Sequence, residues 1–407
     1  MDIYTIDRLG HEGDGIATTP QGAVYAPFTL PGEVVSGRLE ATRLLDVQVQ
    51  TPAPARVAAP CVHFTRCGGC SLQHASDAFL ADWKQDVVQR ALTAQGLEAE
   101  FRAVQTSPDH SRRRATFSAR RTRKTEQIGF FEGGSEVLVD LVECHILRPA
   151  LMAARPTLAA ITRTGGSRNG VLRLTVMDSC EGLDIAVSGG KPLDITLRTK
   201  LAAIAEADDI ARLTWGEDQI ALRRRPVQPF GRALVAPPPG AFLQATAQGE
   251  AALLAAVRDA IGPAKRVVDL FAGCGTFSLP LAATAEVLAI EGDAAMVAAL
   301  DRGWREAKGL HRVEAVARDL FRRPLLPAEV KTYDAVVIDP PRAGAAAQMA
   351  ELALSAIARV AAVSCSPVTF ARDAKTLCDA GFSLDWVQVV DQFRWSGHVE
   401  LAAQFSR

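Results

Sequence analysis

The sequence predicts an α/β fold in its C-terminal part, preceded by a small β-barrel and a central segment of mixed α+β structure. From about residue 236 onward, apolar runs such as RVVDLF, VLAIEGD and YDAVVIDPP alternate with helical stretches, which is typical of a parallel sheet with helical crossovers. Residues 1–55 form short alternating segments broken by Gly and Pro, which is typical of a small barrel of the OB type. The chain of 407 residues is also longer than one ordinary domain.

Domain boundaries follow from changes in this pattern. We expect a barrel over 1–55, a central domain over 56–235 and an α/β domain over 236–407. The Pro/Ala-rich stretch TPAPARVAAP (51–60) is interpreted as a linker. Periodicity predicts one helix over Asp77–Gln95 in the central part and another over Gln248–Ile261, just before the first apolar strand of the α/β domain.

Composition and charge limit the classes of function. Hydrophobic residues make up 48% of the chain and charged residues 22%, with a net charge of −1. The N-terminus lacks the layout of a signal peptide, and no apolar run approaches the roughly 18 residues needed to span a bilayer. The sequence therefore predicts a cytoplasmic, monomeric protein without a membrane partner, whose eight cysteines are metal ligands, nucleophiles or core residues rather than disulfides.

A glycine turn with three acidic residues predicts a nucleoside cofactor. The run DLFAGCGTF places Gly273 and Gly275 between a strand and a helix, where the backbone can approach a ligand closely. Glu291 ends the next strand and can accept the hydroxyls of a ribose, while Asp319 and Asp339 follow the third and fourth strands. The third glycine of a dinucleotide site is missing. The run instead resembles the first motif of class I methyltransferases, with their Rossmann-like fold, so we expect S-adenosylmethionine as cofactor.

Cys365 is the candidate nucleophile. It ends the apolar run ARVAAV in the polar turn SCSP, at the sheet edge where ligands of open α/β folds bind. A packing cysteine gains little there, although buried cysteine is usually inert. A thiolate can add to carbon 6 of uracil and make carbon 5 nucleophilic enough to take a methyl group. A base must then remove the proton from carbon 5, and Glu400 in SGHVEL is the candidate.

Several motifs together resemble the RNA 5-methyluridine methyltransferases that carry an iron–sulfur cluster. They are GDGIA…APFTLPGEVV (like a TRAM domain), RRRATFS, FLQAT, DLFAGCGTFSLPLA, IEGD, IDPPRAGA, VSCSPVTFARD and SGHVELAAQFSR. The resemblance implies Cys365 as nucleophile and Glu400 as base. It further implies that the following residues surround the cofactor and the target base: Gln244, Phe271, Thr276, Glu291, Asp319 and Asp339. Three positions, Thr276, Thr246 and Ser366, carry small polar residues where the family often has Asn.

Four cysteines suit a metal centre. They are Cys61, Cys67 and Cys70, spaced C-x5-C-x2-C, and Cys144 further along the chain. The spacing alone leaves zinc and an iron–sulfur cluster open; the family resemblance implies a 4Fe–4S cluster. With four thiolate ligands the cluster would have no open position for substrate, so we expect a structural role. The remaining cysteines, Cys180, Cys274 and Cys378, are interpreted as packing residues.

Two basic segments make RNA the expected partner. The first, RRRATFSARRTRK (112–124), contains Arg113 and Arg121, and the second is Arg223–Arg225. Arginines interleaved with Phe117, Phe130 and Phe131 offer both charge and stacking surface, so we expect the hairpin and the barrel to contact RNA. The target uridine must leave its stack before Cys365 can reach carbon 6.

The same residues also allow alternative hypotheses about function. The Asp-Pro-Pro motif is followed by Arg342 rather than by an aromatic residue or by Pro-Cys, which argues against amine methylation and against 5-methylcytosine formation. A non-catalytic iron–sulfur RNA-binding protein is an alternative of a different class, but Cys365, Glu400 and the acidic cofactor residues are all present. Among uridine substrates, the TRAM-like barrel favours 23S ribosomal RNA over transfer RNA.

Overall fold

The N-terminal segment of the computed structural model, which describes residues 2–407, is a six-stranded sheet in the order β1-β5-β6-β4-β3-β2. Its strands are β1 (Asp2–Thr5), β2 (Arg8–Leu9), β3 (Gly15–Thr19), β4 (Gly22–Ala26), β5 (Val34–Glu40) and β6 (Arg43–Thr51). Alternate side chains point inward and form a small core that includes Ile6, Val24, Val35 and Leu44. The predicted short strands are confirmed; their assignment to a TRAM-type barrel stays a prediction.

The Pro/Ala-rich stretch and the cysteine-bearing loop after it contain no helix or multi-residue strand among the described residues. Helix α1 (Asp77–Thr93) follows, and the Ser76 side chain caps it by accepting a hydrogen bond from the Phe79 amide. This helix confirms the prediction to within two residues at its C-terminal end. Strand β7 (Glu100–Thr106) comes next.

The central part is built on a seven-stranded sheet in the order β10-β9-β8-β11-β12-β13-β14. Its strands are β8 (Arg114–Arg121), β9 (Glu126–Phe131), β10 (Leu138–Asp140), β11 (Val171–Ser179), β12 (Gly182–Ser188), β13 (Arg212–Trp215) and β14 (Asp218–Leu222). Three helices pack against it: α2 (Pro149–Ala153), α3 (Arg155–Gly165) and α4 (Ile195–Ala207). Phe117, Leu158 and Ile161 are fully buried between the sheet and the helices.

A two-stranded hairpin, β15 (Gln228–Phe230) and β16 (Ala233–Val235), leads into the C-terminal part. The sheet there has the order β19-β18-β17-β20-β21-β23-β22-β7. Its strands are β17 (Arg266–Leu270), β18 (Glu286–Glu291), β19 (Val313–Ala317), β20 (Ala335–Ile338), β21 (Arg359–Ser364), β22 (Ser383–Asp391) and β23 (Leu401–Ser406). Strands β17–β21 are parallel and β23 is antiparallel to both neighbours, which confirms the Rossmann-like prediction.

Helices cover both faces of this sheet. They are α5 (Ala247–Ile261), α6 (Ser278–Leu281), α7 (Ala294–Glu306), α8 (Pro327–Val330), α9 (Ala346–Leu354) and α10 (Pro367–Asp379). The predicted helix over Gln248–Ile261 is confirmed as α5, which Thr246 caps through the Gly249 amide. No helix in the described part of the chain is long and apolar enough to cross a membrane.

Helix α1 and strand β7 precede residue 236, where the α/β domain was predicted to begin, but they pack with the C-terminal sheet. Strand β7 pairs in parallel with β22 and so becomes the outer strand of the C-terminal sheet. Val88 and Leu92 of α1 are buried in the core between this sheet and α10. No local sequence pattern marks this pairing, because the partner strand of β7 lies hundreds of residues away. The fold thereby brings the central part of the chain to the edge of the C-terminal sheet.

Candidate active site

The glycine turn after β17 lies against the carboxylate that ends β18. Gly273 and Gly275 have φ values of +56° and +94°, which favour glycine. The Gly273 amide donates to Glu291 Oε2 at 3.0 Å, and the Asp293 amide donates to Oε1 at 2.8 Å. Thr276 follows Gly275 directly. The turn, Thr276 and Glu291 therefore share one region at the carboxyl ends of the first two strands, as predicted for a nucleoside cradle.

Two phenylalanines form an aromatic wall beside this turn. Phe271 has a φ of +61°, and its ring centroid lies 5.4 Å from that of Phe321. The Asp319 carboxylate accepts hydrogen bonds from the Phe321 and Arg322 amides, so it orders the turn that carries Phe321. The Phe321 side chain remains 51% exposed. An exposed aromatic face next to the cradle is available to a planar ring, and sequence reasoning did not identify it.

Asp269 is a second feature that sequence reasoning did not identify. It is completely buried, and one of its carboxylate oxygens, Oδ1, has no hydrogen-bond partner. The other accepts from the Ser278 hydroxyl at 2.5 Å. Burial, with a smaller contribution from nearby Glu291, raises the pKa of Asp269 to about 7. The available signal was its place at the start of DLFAGCG, at the carboxyl end of a buried strand.

Cys365 follows β21 at the same edge of the sheet and is half-buried with a free thiol. Burial, with smaller contributions from the negative charges of Glu400 and Asp339, raises its pKa to about 11. Arg342 acts in the opposite direction. The structure thus brings the predicted nucleophile, the predicted base and Asp339 together, and adds the arginine of the Asp-Pro-Pro-Arg motif.

Glu400 lies at the start of β23 and is only 4% exposed. Burial raises its pKa well above the ordinary value, and Asp339 raises it further, while Arg342 opposes both. A carboxylate with a raised pKa is a stronger base than an exposed one, which suits proton removal from carbon. Two residues before Glu400, the His398 side chain contacts the Arg342 guanidinium through Nδ1 at 2.6 Å.

Gln244 connects Asp339 to Gln392, a residue that sequence reasoning did not identify. Its Nε2 donates to Asp339 Oδ2 at 3.3 Å, and its Oε1 accepts from Gln392 Nε2 at 2.7 Å. Gln244 and Gln392 are both buried. Burial and the neighbouring Asp269 raise the pKa of Asp339 to about 7. Gln392 gave no sequence signal, because it belongs to no recognisable motif.

The four predicted metal ligands line a single cavity of about 430 Å³: Cys61, Cys67, Cys70 and Cys144. Burial raises the pKa of three of these thiols, that of Cys70 to about 12, and the other cysteines of the set add to the shift. Within residues 2–407, no three His, Cys, Asp or Glu side chains are gathered tightly enough to hold a single metal ion. Arg112, Phe393 and His398 also line the cavity, so it reaches the loop that leads to Glu400.

The three remaining cysteines differ from one another. Cys274 is buried in one core cluster of the C-terminal sheet, and the partly buried Cys378 packs against a second cluster. Both agree with the predicted packing role. Cys180 is exposed, so the prediction that it is a packing residue is wrong. It lies in the turn between β11 and β12, where its side chain meets solvent rather than the core.

The first basic segment is partly structural. Arg113 is 3% exposed; it donates to the Gln244 carbonyl at 3.1 Å and to Glu250 at 2.5 Å. Phe117 is completely buried and stacks on Phe130 at 5.4 Å. The predictions that Arg113 binds RNA and that Phe117 offers a stacking surface are therefore wrong. Every second residue of β8 faces the core, Phe117 among them, whereas Arg113 directly precedes the strand and is buried against α5 through Glu250.

The rest of the basic residues divide into free and paired groups. Arg123 and Lys124 are exposed at the tip of the β8–β9 hairpin, next to the half-buried Arg121. In the second basic segment, Arg223 and Arg224 pair with Asp209, and Arg225 pairs with Glu306. The hairpin tip remains a basic surface, whereas the second segment is largely neutralised by its partners.

Comparison with known proteins agrees with this geometry. A model of the family described as tRNA (uracil-5-)-methyltransferase matches residues 234–407. A protein of Rhizobium meliloti (strain 1021) named as an RNA methyltransferase is 44% identical over 409 residues, covering 99% of both chains. The 23S rRNA (uracil(1939)-C(5))-methyltransferase RlmD of Chromohalobacter salexigens is 33% identical over 427 residues, covering 98% of this chain and 88% of the relative.

The fold is also shared over its whole length with a solved structure. The Pyrococcus abyssi tRNA (uracil-54, C5)-methyltransferase, solved in complex with S-adenosyl-L-homocysteine, superimposes with a TM-score of 0.77. The match covers 99% of each chain at 21% sequence identity. The agreement of full-length relatives, the C-terminal family match and the fold leads to one conclusion. This chain belongs to the family of RNA (uracil-5-)-methyltransferases, which use S-adenosylmethionine as methyl donor.

Proposed function

We propose that the protein forms 5-methyluridine in the large ribosomal RNA, with Cys365 as the nucleophile. The observation that carries the mechanism is the grouping of Cys365, Glu400 and Asp339 at the carboxyl edge of the sheet. The choice of ribosomal RNA is supported by the 23S rRNA activity named for the Chromohalobacter relative, which this chain matches over 98% of its length.

The reaction begins when the Cys365 thiol loses its proton to water and the resulting thiolate adds to carbon 6 of the uracil. The new bond leaves an enolate with its charge on carbon 5, which can take up a methyl group. S-Adenosylmethionine supplies that group as an electrophilic methyl on a positively charged sulfur. Glu400 then accepts the proton from carbon 5, the bond between carbon 6 and sulfur breaks, and the Cys365 thiolate leaves.

The other site residues bind and orient. Glu291 would accept hydrogen bonds from the ribose hydroxyls of the cofactor, and the amides of the glycine turn would approach it closely. The remaining predicted residues would surround the cofactor and the target base: Gln244, Phe271, Thr276, Asp319 and Asp339. Since burial raises the pKa of Asp339 to about 7, its carboxyl can carry a proton and donate it to a uracil oxygen.

We propose that the four cysteines around this cavity hold a 4Fe–4S cluster, as the family resemblance implies. Four free thiols line this one space. A cluster would spread its four thiolates around a larger body and stabilise their charge. A structural role is supported by the two amides after Cys70, those of Ser71 and Leu72, which donate to the Trp395 carbonyl in the active-site loop.

RNA would approach along the N-terminal sheet and the tip of the β8–β9 hairpin, where Arg123 and Lys124 are free to contact phosphates. We propose a TRAM-like barrel over 1–55, a central iron–sulfur domain over 56–235 and a methyltransferase domain over 236–407, which α1 and β7 join. We propose that the protein acts as a cytoplasmic monomer. The target uridine would be flipped out of its stack to reach Cys365.

Nucleoside mapping of RNA from a strain that lacks the gene tests this proposal. We expect one 5-methyluridine to disappear from the large ribosomal RNA and to return when the gene is restored, but not when Cys365→Ser is supplied. Loss of the modification from transfer RNA alone would favour the tRNA activity that the family description names. Unchanged 5-methyluridine in both RNAs would contradict the proposal and leave the non-catalytic RNA-binding alternative.

A Glu400→Gln variant tests the order of events. Without the base, carbon 5 keeps its proton after methyl transfer, so the protein should remain covalently attached to ordinary uridine RNA. The adduct should be absent in Glu400→Gln combined with Cys365→Ser. Normal turnover of the Glu400→Gln variant without a trapped adduct would exclude Glu400 as the base.

A further inference from the structure

A buried ion pair connects helix α1 to the end of β22. The Lys84 side chain is 0% exposed, and its Nζ lies 2.6 Å from Asp391 Oδ1, which belongs to a side chain only 3% exposed. Lys84 Nζ also donates to the Phe393 carbonyl at 3.1 Å. Desolvation of two charges usually offsets their attraction, so such a pair contributes little stability over apolar residues of similar size. Stability alone therefore does not explain why this pair is buried here.

The pair lies at the base of the loop that carries the proposed base. Asp391 is the last residue of β22, and the loop over 392–400 returns the chain to β23. The Asp391 carboxylate also accepts from the Phe393 amide at 2.9 Å, so it fixes the first turn of the loop. One residue earlier, the Val390 amide donates to the Glu400 carbonyl at 2.8 Å. The backbone of Glu400 is therefore tied to the strand end that Lys84 holds.

The residue after Asp391 reaches into the substrate side of the site. Gln392 donates to Gln244, which donates in turn to Asp339. Gln392 also accepts from the Thr246 amide at 3.3 Å. Space for this side chain depends on Gly249, because a Cβ there would collide with the Gln392 side chain. The position of the Asp391–Gln392 turn thus sets the position of Gln244.

We propose that Lys84 is a positioning residue for the methyl transfer proposed above, acting through Asp391. The ion pair holds the loop where Glu400 reaches the target base and where Gln392 supports Gln244. The glycine turn follows β17 and Glu291 ends β18, and neither makes any of these contacts. Loss of the pair should therefore slow the chemical steps far more than it weakens cofactor binding.

The test uses a double variant, Lys84→Met with Asp391→Asn, which removes both charges and leaves no unpaired ion. The matched control is Asp184→Asn with Arg212→Met, which removes another buried pair, 2.6 Å long, from the central sheet. Each protein is measured for melting temperature, S-adenosylhomocysteine affinity, single-turnover methylation of an unmodified ribosomal RNA transcript, and covalent attachment to that transcript.

We expect the Lys84/Asp391 variant to lose far less affinity for S-adenosylhomocysteine than methylation rate. Its single-turnover rate should fall about 10- to 100-fold, the usual effect of misplacing a catalytic group by about 1 Å. A covalent protein–RNA species should accumulate, because proton removal by Glu400 is slowed. The control should methylate the transcript at the rate of the unsubstituted protein and trap no RNA. An unchanged rate with no trapped RNA, or the same behaviour in the control, would overturn the positioning role.

A second variant covers the case in which the double variant does not fold. Gln392→Met leaves the ion pair in place and removes only the hydrogen bonds to Gln244 and Thr246. It should also lower the single-turnover rate at saturating S-adenosylmethionine; a rate equal to that of the unsubstituted protein would refute the connection from the loop to Gln244. If the unsubstituted protein methylates no RNA, the proposed function itself is wrong, which is a distinct result.

Discussion

The thiol of Cys365 should react slowly with alkylating reagents in the free enzyme and should titrate at an unusually alkaline pH. Its pKa of about 11, against an ordinary 9.0, follows first from burial and then from the nearby Glu400 and Asp339 charges. At pH 7.5 about one molecule in 3,000 carries the thiolate, compared with about one in 30 at the ordinary pKa. The more basic thiolate is intrinsically about tenfold more reactive. The net expectation is alkylation about tenfold slower than for an ordinary thiol.

The assay is iodoacetamide labelling followed by mass spectrometry of the peptide that contains Cys365, from pH 7 to pH 11.5. The exposed Cys180 in the same chain serves as an internal reference for reagent decay. Glu400→Gln removes a negative neighbour and should move the midpoint to lower pH. Arg342→Gln removes a positive neighbour and should move it to higher pH. A labelling rate that levels off below pH 9, or shifts of the opposite sign, would refute this electrostatic account of the site.

Three further outcomes are expected. Asp269→Asn should raise the melting temperature at pH 8 with a smaller effect at pH 5. Its raised pKa, about 7 against 3.8, means that the parent loses stability as pH rises through that window, which a pH series of thermal melts would show. Gly249→Ala should displace Gln392 and lower the single-turnover rate at saturating S-adenosylmethionine; a normal rate would contradict the predicted collision. Arg121→Glu should weaken RNA binding in a salt-dependent manner, whereas Arg113→Met should reduce stability instead; equal effects on RNA affinity would argue against the assignment of Arg113 as a structural residue.

The catalytic edge of the sheet could be predicted from the sequence because its residues are encoded locally. Cys365, Glu291 and Asp339 each directly follow or end an apolar strand, and parallel strands bring their carboxyl ends to one edge. The helix bounds of α1 and α5 were predictable for a similar reason, since capping residues and periodicity act over a few residues.

The remaining features depend on contacts between distant parts of the chain. The pairing of β7 with β22 and the Lys84–Asp391 pair join residues that are far apart in the sequence, and no local pattern marks them. Arg113 was misjudged because charge alone suggests a surface position, whereas its burial depends on Glu250 in another part of the fold. Sequence patterns thus indicated the candidate nucleophile and the acidic residues of the site, but not the residues that hold them in place.

The central claim is that Cys365 forms a covalent bond with the target uridine. The most direct measurement uses a ribosomal RNA transcript made with 5-fluorouridine, S-adenosylmethionine and the intact protein, followed by mass spectrometry of the cross-linked peptide. Fluorine cannot leave carbon 5 as a proton, so we predict a stable adduct on the peptide that contains Cys365, absent in Cys365→Ser. If the protein methylates the ordinary transcript but forms no adduct with the fluorinated one, or forms it at another cysteine, the account is contradicted.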